Sequence, residues 1–220
     1  MRPDGRGFVM YFTALHRESG QQCIGAAVSA TPAGPFVPVG FEPLICPLEQ
    51  GGAIDAAAFL DSDGRFYLLW KNDGNCCELD TWIWIQELSS DGLRLQGKAT
   101  PLIRQDQSWE GPLVEAPTLW KHAGRYYLFY SANWYYGPAY AIGYAVADRP
   151  FGPYRKALAP LLGTDERVPI IGPGGQDVVQ SGEDDTWLVY HGWSRDMRTR
   201  GVRIDPLDWL DGTPVVVPGC

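Results

Sequence analysis

Four short apolar runs rich in aromatic and branched residues punctuate the chain: Val9-Met10-Tyr11-Phe12, Tyr67-Leu68-Leu69-Trp70, Tyr127-Leu128-Phe129-Tyr130 and Trp187-Leu188-Val189-Tyr190. They begin 58, 60 and 60 residues apart (67−9, 127−67, 187−127). A turn signal precedes each: Asp4-Gly5-Arg6, Asp63-Gly64-Arg65, Ala123-Gly124-Arg125 and Glu183-Asp184-Asp185. Short apolar runs behind Gly-rich or polar turns read as hairpin strands. A second element recurs as well. Ile24–Val28 leads into Thr31-Pro32-Ala33-Gly34-Pro35-Phe36, and Ile142–Val146 leads into Arg149-Pro150-Phe151-Gly152-Pro153-Tyr154, 118 residues later. Trp82–Ile85 takes the same place in the repeat between them. No long segment has helical periodicity, and Pro and Gly interrupt the chain too often for one.

A repeat of about sixty residues, each with several short strands, predicts an all-β chain of propeller blades, although the spacing exceeds the commonest repeat lengths. A two-sheet sandwich is the rival, and it has no need of a constant period. The repeats fall at 51–110, 111–170 and 171–220, with an incomplete one at 1–50 that begins at its second strand. A ring opened at such a blade exposes an unpaired strand edge, so self-association through open edges is expected.

Composition narrows the function classes. Aromatic residues reach 13%, with 26 Gly and 18 Pro, which suits a turn-rich β protein and the faces of sugar rings. A net charge of −8 disfavours nucleic acid and anionic membrane surfaces. No run of 18 apolar residues marks a transmembrane helix. The start shows no basic segment followed by a long apolar core, so no signal peptide is visible; a cytoplasmic protein, or a secreted one whose true start lies upstream, both stay open. The five cysteines, Cys23, Cys46, Cys76, Cys77 and Cys220, match no zinc spacing and are read as free, mostly buried thiols. A Cys23–Cys46 bridge stays open for a secreted protein. The vicinal Cys76-Cys77 pair has no explanation in the sequence.

Stepping back twelve residues from each aromatic run reaches Asp55, Glu115 and Gly175. Equivalent positions in successive blades are expected to face one axis, which would put Asp55 and Glu115 in one funnel. Both stand among apolar or small neighbours, in Ala53-Ile54-Asp55-Ala56-Ala57 and Leu113-Val114-Glu115-Ala116-Pro117, where an unpaired carboxylate is costly. Two neighbouring carboxylates drive their pKa values apart, the condition for one to act as an acid. The competing reading is that each accepts a backbone hydrogen bond between blades.

At these residues the chain resembles glycoside hydrolase family 43, the arabinanases, α-L-arabinofuranosidases and β-xylosidases built on five-bladed β-propellers. The resemblance rests on Ala53–Trp70, Val114–Ser131, Ala141–Tyr154 and Gly172–Trp193, in the family's order; Ala56 replaces a usual proline. It implies inverting cleavage of arabinose- or xylose-containing plant saccharides by two carboxyl groups roughly 6.5–9.5 Å apart, with a water between base and sugar. Carried over residue by residue, Glu115 is the general acid and Asp55 the carboxylate that modulates its pKa and orientation. The general base has no counterpart, since its blade would precede residue 1. Asp4 falls in a turn and is rejected; Asp177 is the weak stand-in. On this reading the first blade and the start of the second are missing, and the alternative function is a carbohydrate-binding propeller impaired by the loss of its base. Gly175 replaces a histidine that many members carry, often near a central metal ion, which weighs against a structural Ca²⁺; no other cofactor is implied.

The remaining candidates for sugar contact are His191 at a strand end, Arg200 nine residues before Trp209, Gln176 beside Gly175, and Trp134 in the aromatic stretch Asn133-Trp134-Tyr135-Tyr136. Each has a structural alternative: a satisfied histidine, or an aromatic loop packed on its own edge. Lys71-Asn72-Asp73 reads first as a solvated turn.

Overall fold

Each apolar run becomes the second strand of its sheet or, in the first repeat, the leading one. The computed structural model describes residues 1–165, 167, 170–182 and 185–216; Glu183 and Asp184 of the fourth turn signal, and Cys220, lie outside the described residues. The chain divides into two compact units, Met1–Ile103 and Arg104–Cys220, each with two antiparallel sheets.

In the first unit, β1 (Phe8–Leu15), β2 (Gln22–Ser29) and β3 (Val37–Pro38) form a three-stranded sheet. Strands β4 (Ala53–Leu60), β5 (Phe66–Asn72), β6 (Trp82–Leu88) and β7 (Leu95–Arg104) form a four-stranded one in sequence order. Phe66, Leu68 and Trp70 of β5 pack with Ile24 of β2, Ile45, Ala53 and Leu88 into one core. All seven residues of β5 are buried, as befits a strand covered on both faces. In β1, which has no partner on its outer side among the described residues, none is buried.

The second unit repeats the plan. Strands β8 (Val114–His122), β9 (Arg125–Ala132), β10 (Ala141–Ala147) and β11 (Arg155–Lys156) form one sheet, and β12 (Ile171–Ser181), β13 (Asp185–Trp193), β14 (Arg200–Leu210) and β15 (Thr213–Val216) the other. Tyr127, Phe129, Ile142, Val178, Leu188, Tyr190 and Leu207 share its core. The simple up-and-down order, inner strand to outer, is that of propeller blades. The recurring proline motif folds alike in both units, with glycines at φ +83° before cis Pro35 and cis Pro153.

Two expectations are corrected here. The thiols are not free: Cys23 is disulfide-bonded to Cys46 and Cys76 to Cys77. An antiparallel bridge between Ile24 and Ile45 sets the flanking Cys23 and Cys46 opposite each other, Cα atoms 4.8 Å apart; Cys76 and Cys77 close an exposed turn behind β5. Nor is Lys71-Asn72-Asp73 a solvated turn, for all three are buried. Lys71 lies 3.5 Å from the Asp73 carboxylate and donates to Asn75. The Asn72 amide donates to the carbonyls of Gln50 and Asp80 and accepts from the Trp82 N–H and the Trp84 indole. Asp4 does occupy a turn, where it accepts from Arg6 N and pairs with Arg2 at 2.9 Å.

Candidate active site

The inner strands β4, β8 and β12 each carry a β-bulge, two residues facing one. Asp55 and Ala56 together oppose Trp70. Ala116 and Pro117 oppose Tyr130, and Gly175 and Gln176 oppose Tyr190. The first residue of each bulge is left-handed, with φ of +58° at Asp55, +50° at Ala116 and +59° at Gly175. Such bulges bend an inner strand and re-aim the side chains around it.

This alignment corrects the twelve-residue count. Asp55 is equivalent to Ala116 and Gly175, whereas Glu115 is equivalent to Ile54 and Gly174, one place earlier. The cause is hairpin length. Phe59 pairs with Tyr67 across eight residues (67−59), but Trp120 pairs with Tyr127 across seven (127−120). Asp55 therefore projects from the strained residue of its bulge, and Glu115 from the extended residue just before one. Both are partly buried.

Around Glu115 the second unit supplies a fitted environment. Tyr140, in the loop leading into β10, is 2% exposed and donates its hydroxyl to Glu115 Oε1 at 2.6 Å. Its ring lies parallel to that of His191 on β13, at 5.9 Å and 10°. Gly174 leaves the slot for that ring: a Cβ there would stand 1.9 Å from the Tyr140 ring. His191 Nδ1 is buried with no hydrogen-bond partner among the described residues. Burial first, and the Arg200 charge second, lower the His191 pKa to about 4, so the ring is neutral at pH 7. Where many members of the resembling family place a histidine, Gly175 offers no donor. The His191 ring fills the space beside Gly175, 2.7 Å from where a Cβ would be, and among the described residues no group of three metal-ligating side chains gathers there. His16, close to Cys23 and Cys46, is no better placed, because both sulfurs are committed to the disulfide.

Gln176, expected at the sugar, faces the interior of the second unit. It is 4% exposed, and both ends of its amide are occupied. Oε1 accepts from Ser131 Oγ at 2.7 Å and Nε2 donates to the Ala116 carbonyl at 2.6 Å. Ser131 in turn accepts from Gly175 N, and Thr118 donates to the Gln176 carbonyl. Gln176 thus ties the bulge of β12 to that of β8. Asp177, next along the strand, leaves part of its surface exposed while its carboxyl reaches the Thr118 side chain on β8. It accepts from Val178 N at 2.8 Å, and the desolvation of its carboxyl raises its pKa above the ordinary value.

Trp134 stacks on Tyr136, ring centres 5.6 Å apart, and Tyr136 meets Tyr135 edge-on. Arg200, at the start of β14, lies over the rings of Tyr135 and Trp193, at 4.9 and 5.4 Å. Trp193 Nε1 anchors the assembly by donating to the Tyr135 carbonyl. Trp134 and Arg200 therefore belong to one aromatic and cationic cluster, with Tyr135 and Tyr136 exposed in it.

Several residues here went unnoticed in the sequence. Nothing in Pro138-Ala139-Tyr140 sets Tyr140 apart from a strand-flanking aromatic. Buried Glu110 accepts from Tyr130, from the backbone of Asp106 and Gln107, and from Lys156 at 2.7 Å. With a cation and three further donors it is a structural anchor. Its signal is the Gln107–Glu110 spacing of a capping box.

The profile of "Glycosyl hydrolases family 43" matches residues 2–214. The chain is 30% identical over 171 residues to the β-D-galactofuranosidase of Aspergillus niger, covering 76% of the chain and 46% of that protein. It is 28% identical over 221 residues to a xylosidase/arabinosidase of Bacteroides ovatus, covering 84% and 64%. The chain thus spans about half to two thirds of these relatives' lengths. The crystal structure of a thermostable family-43 glycoside hydrolase superimposes with a TM-score of 0.84 at 34% identity, over 96% of this chain and 71% of that one. Matched by that profile over nearly its whole length, the chain belongs to glycosyl hydrolases family 43.

Proposed function

We propose that the protein hydrolyses glycosidic bonds of arabinose- or xylose-containing plant saccharides with inversion, Glu115 serving as general acid. The observation that carries this reading is the seat of Glu115: a partly buried carboxyl beside a bulge, held by a phenolic hydroxyl. Glu115 delivers its proton to the leaving oxygen as the bond to the anomeric carbon breaks, while a base-activated water attacks from the opposite face. Asp55 takes the family's modulating role. In that role a carboxylate's charge favours the protonated form of the acid. No residue of the chain is assigned the base. Asp177 is the stand-in, though its carboxylate already accepts a backbone hydrogen bond. Within this reading the four sheets are blades of a five-bladed propeller. The names of the relatives put furanosides and xylosides first among substrates.

The test is a screen with nitrophenyl α-L-arabinofuranoside, nitrophenyl β-D-xyloside, nitrophenyl β-D-galactofuranoside and dye-linked arabinan, followed by Glu115→Gln. The variant is expected to lose about 10²–10⁴-fold in turnover of a poor-leaving-group saccharide and much less on the activated aryl glycoside. Equal turnover by variant and parent on the natural oligosaccharide would overturn the assignment.

A further inference from the structure

We infer that Tyr140 is the positioning residue of the acid: its hydroxyl holds Glu115 Oε1, so that the transferable proton resides on Oε2. This rests on Glu115 being the general acid. The hydroxyl stands 2.6 Å from Oε1, short enough for a strong charge-assisted bond once Glu115 is ionised. The ring cannot swing away, because the Tyr140 side chain is 2% exposed and lies flat against the His191 ring. On the Gly174 side a single added methyl would collide with it at 1.9 Å. A glycine-cut slot, a stacked imidazole and a directed hydroxyl converge on one carboxyl oxygen.

The chemical consequence follows from the acid's role. When Glu115 gives up its proton, negative charge develops on its carboxyl group. A donor already fixed on Oε1 stabilises that charge without reorganisation. The proton leaves from Oε2 to the glycosidic oxygen, the bond to the anomeric carbon breaks with its electron pair on that oxygen, and Tyr140 keeps its own proton. Among the charged and titratable side chains of the described residues, His191 on β13 stacks on Tyr140, and Arg200 on β14 acts in turn on His191. His191 is neutral at working pH and contributes packing to Tyr140, not charge.

The test needs no turnover at its first step. The Glu115 carboxyl carbon is followed by ¹³C NMR through a pH titration, its signal assigned by its loss in Glu115→Gln. Tyr140→Phe keeps the ring and removes the donor, so the Glu115 midpoint is expected to rise, by about one pH unit for a hydrogen bond to a charged group. Site-specific 3-fluorotyrosine at position 140, a stronger donor that fills the same slot, is expected to lower it. In kinetics, Tyr140→Phe should slow cleavage of a poor leaving group about tenfold and move the alkaline limb of the profile upward. Unmoved midpoints in both variants, while Glu115→Gln still discriminates between leaving groups, would overturn this role alone. A Glu115→Gln variant indifferent to the leaving group would overturn the acid assignment and this role with it.

Discussion

Strands β4 and β8 make the same bulge and fill it with different chemistry. In β4 the left-handed position holds Asp55, so the acid itself carries the strain. In β8 that position holds Ala116, and Glu115 occupies the relaxed place before it. Successive side chains on an extended strand point to opposite faces. One residue of offset therefore decides which way a carboxylate leaves the strand. The pair is not a copied carboxylate: the chain carries two acids at two kinds of position, and Glu115 is held by Tyr140, which stacks on His191.

The sharpest way to break this contrast is to move the charge. On the proposed assignment, Asp55→Asn is expected to cut kcat/KM by about 10²-fold and shift the alkaline limb downward, since the modulating carboxylate is lost. Relocating the carboxylate to the Glu115-equivalent place, with Ile54→Asp and Asp55→Gly together, should restore neither rate nor limb. Recovery would mean that the two positions are interchangeable after all.

The third bulge offers the next largest effect, on stability. Gly175→Ala meets both a left-handed φ and the His191 ring at 2.7 Å, and is expected to cost about 3 kcal/mol in urea unfolding. Loss below about 1 kcal/mol would show that the ring yields easily.

Acidification probes the same ring. Because the folded His191 pKa is lowered to about 4 from an ordinary 6.5, the unfolded chain takes up a proton first as pH falls. The stability contributed by the neutral ring is therefore complete above pH 6.5, declines through the window from 6.5 to 4, and levels off below it. With solvent screening the loss is at most about 2 kcal/mol. His191→Asn should flatten that part of the stability profile.

The smallest effect isolates backbone strain. Ala116→Gly relieves a left-handed alanine and should raise stability by up to about 1 kcal/mol without touching the acid. The corresponding change at Asp55 would gain the same relief and lose the carboxylate's function. A destabilised Ala116→Gly would show that Ala116 makes contacts worth more than its strain.

What the sequence determined by itself is local. The four apolar runs, their turns and the recurring proline motif specify where strands begin and end, because alternation and turn chemistry act over a few residues. They also put both acids on inner strands. The tertiary structure decided everything that hangs on a single residue of register or on partners far apart in the chain. One fewer residue between Trp120 and Tyr127 than between Phe59 and Tyr67 took Glu115 and Asp55 out of equivalence, and no count along the chain reveals how a ladder absorbs it. Gln176 reads as a polar neighbour of the site, yet it reaches Ala116 and Ser131, 60 and 45 residues away, and is buried by them. Tyr140 reads as an ordinary strand-flanking aromatic. Only when β12 brings Gly174 alongside does its hydroxyl acquire a fixed direction, toward an acid 25 residues earlier. Close packing turns such neighbours into constraints, since a buried polar group must find its partner wherever the fold has placed one.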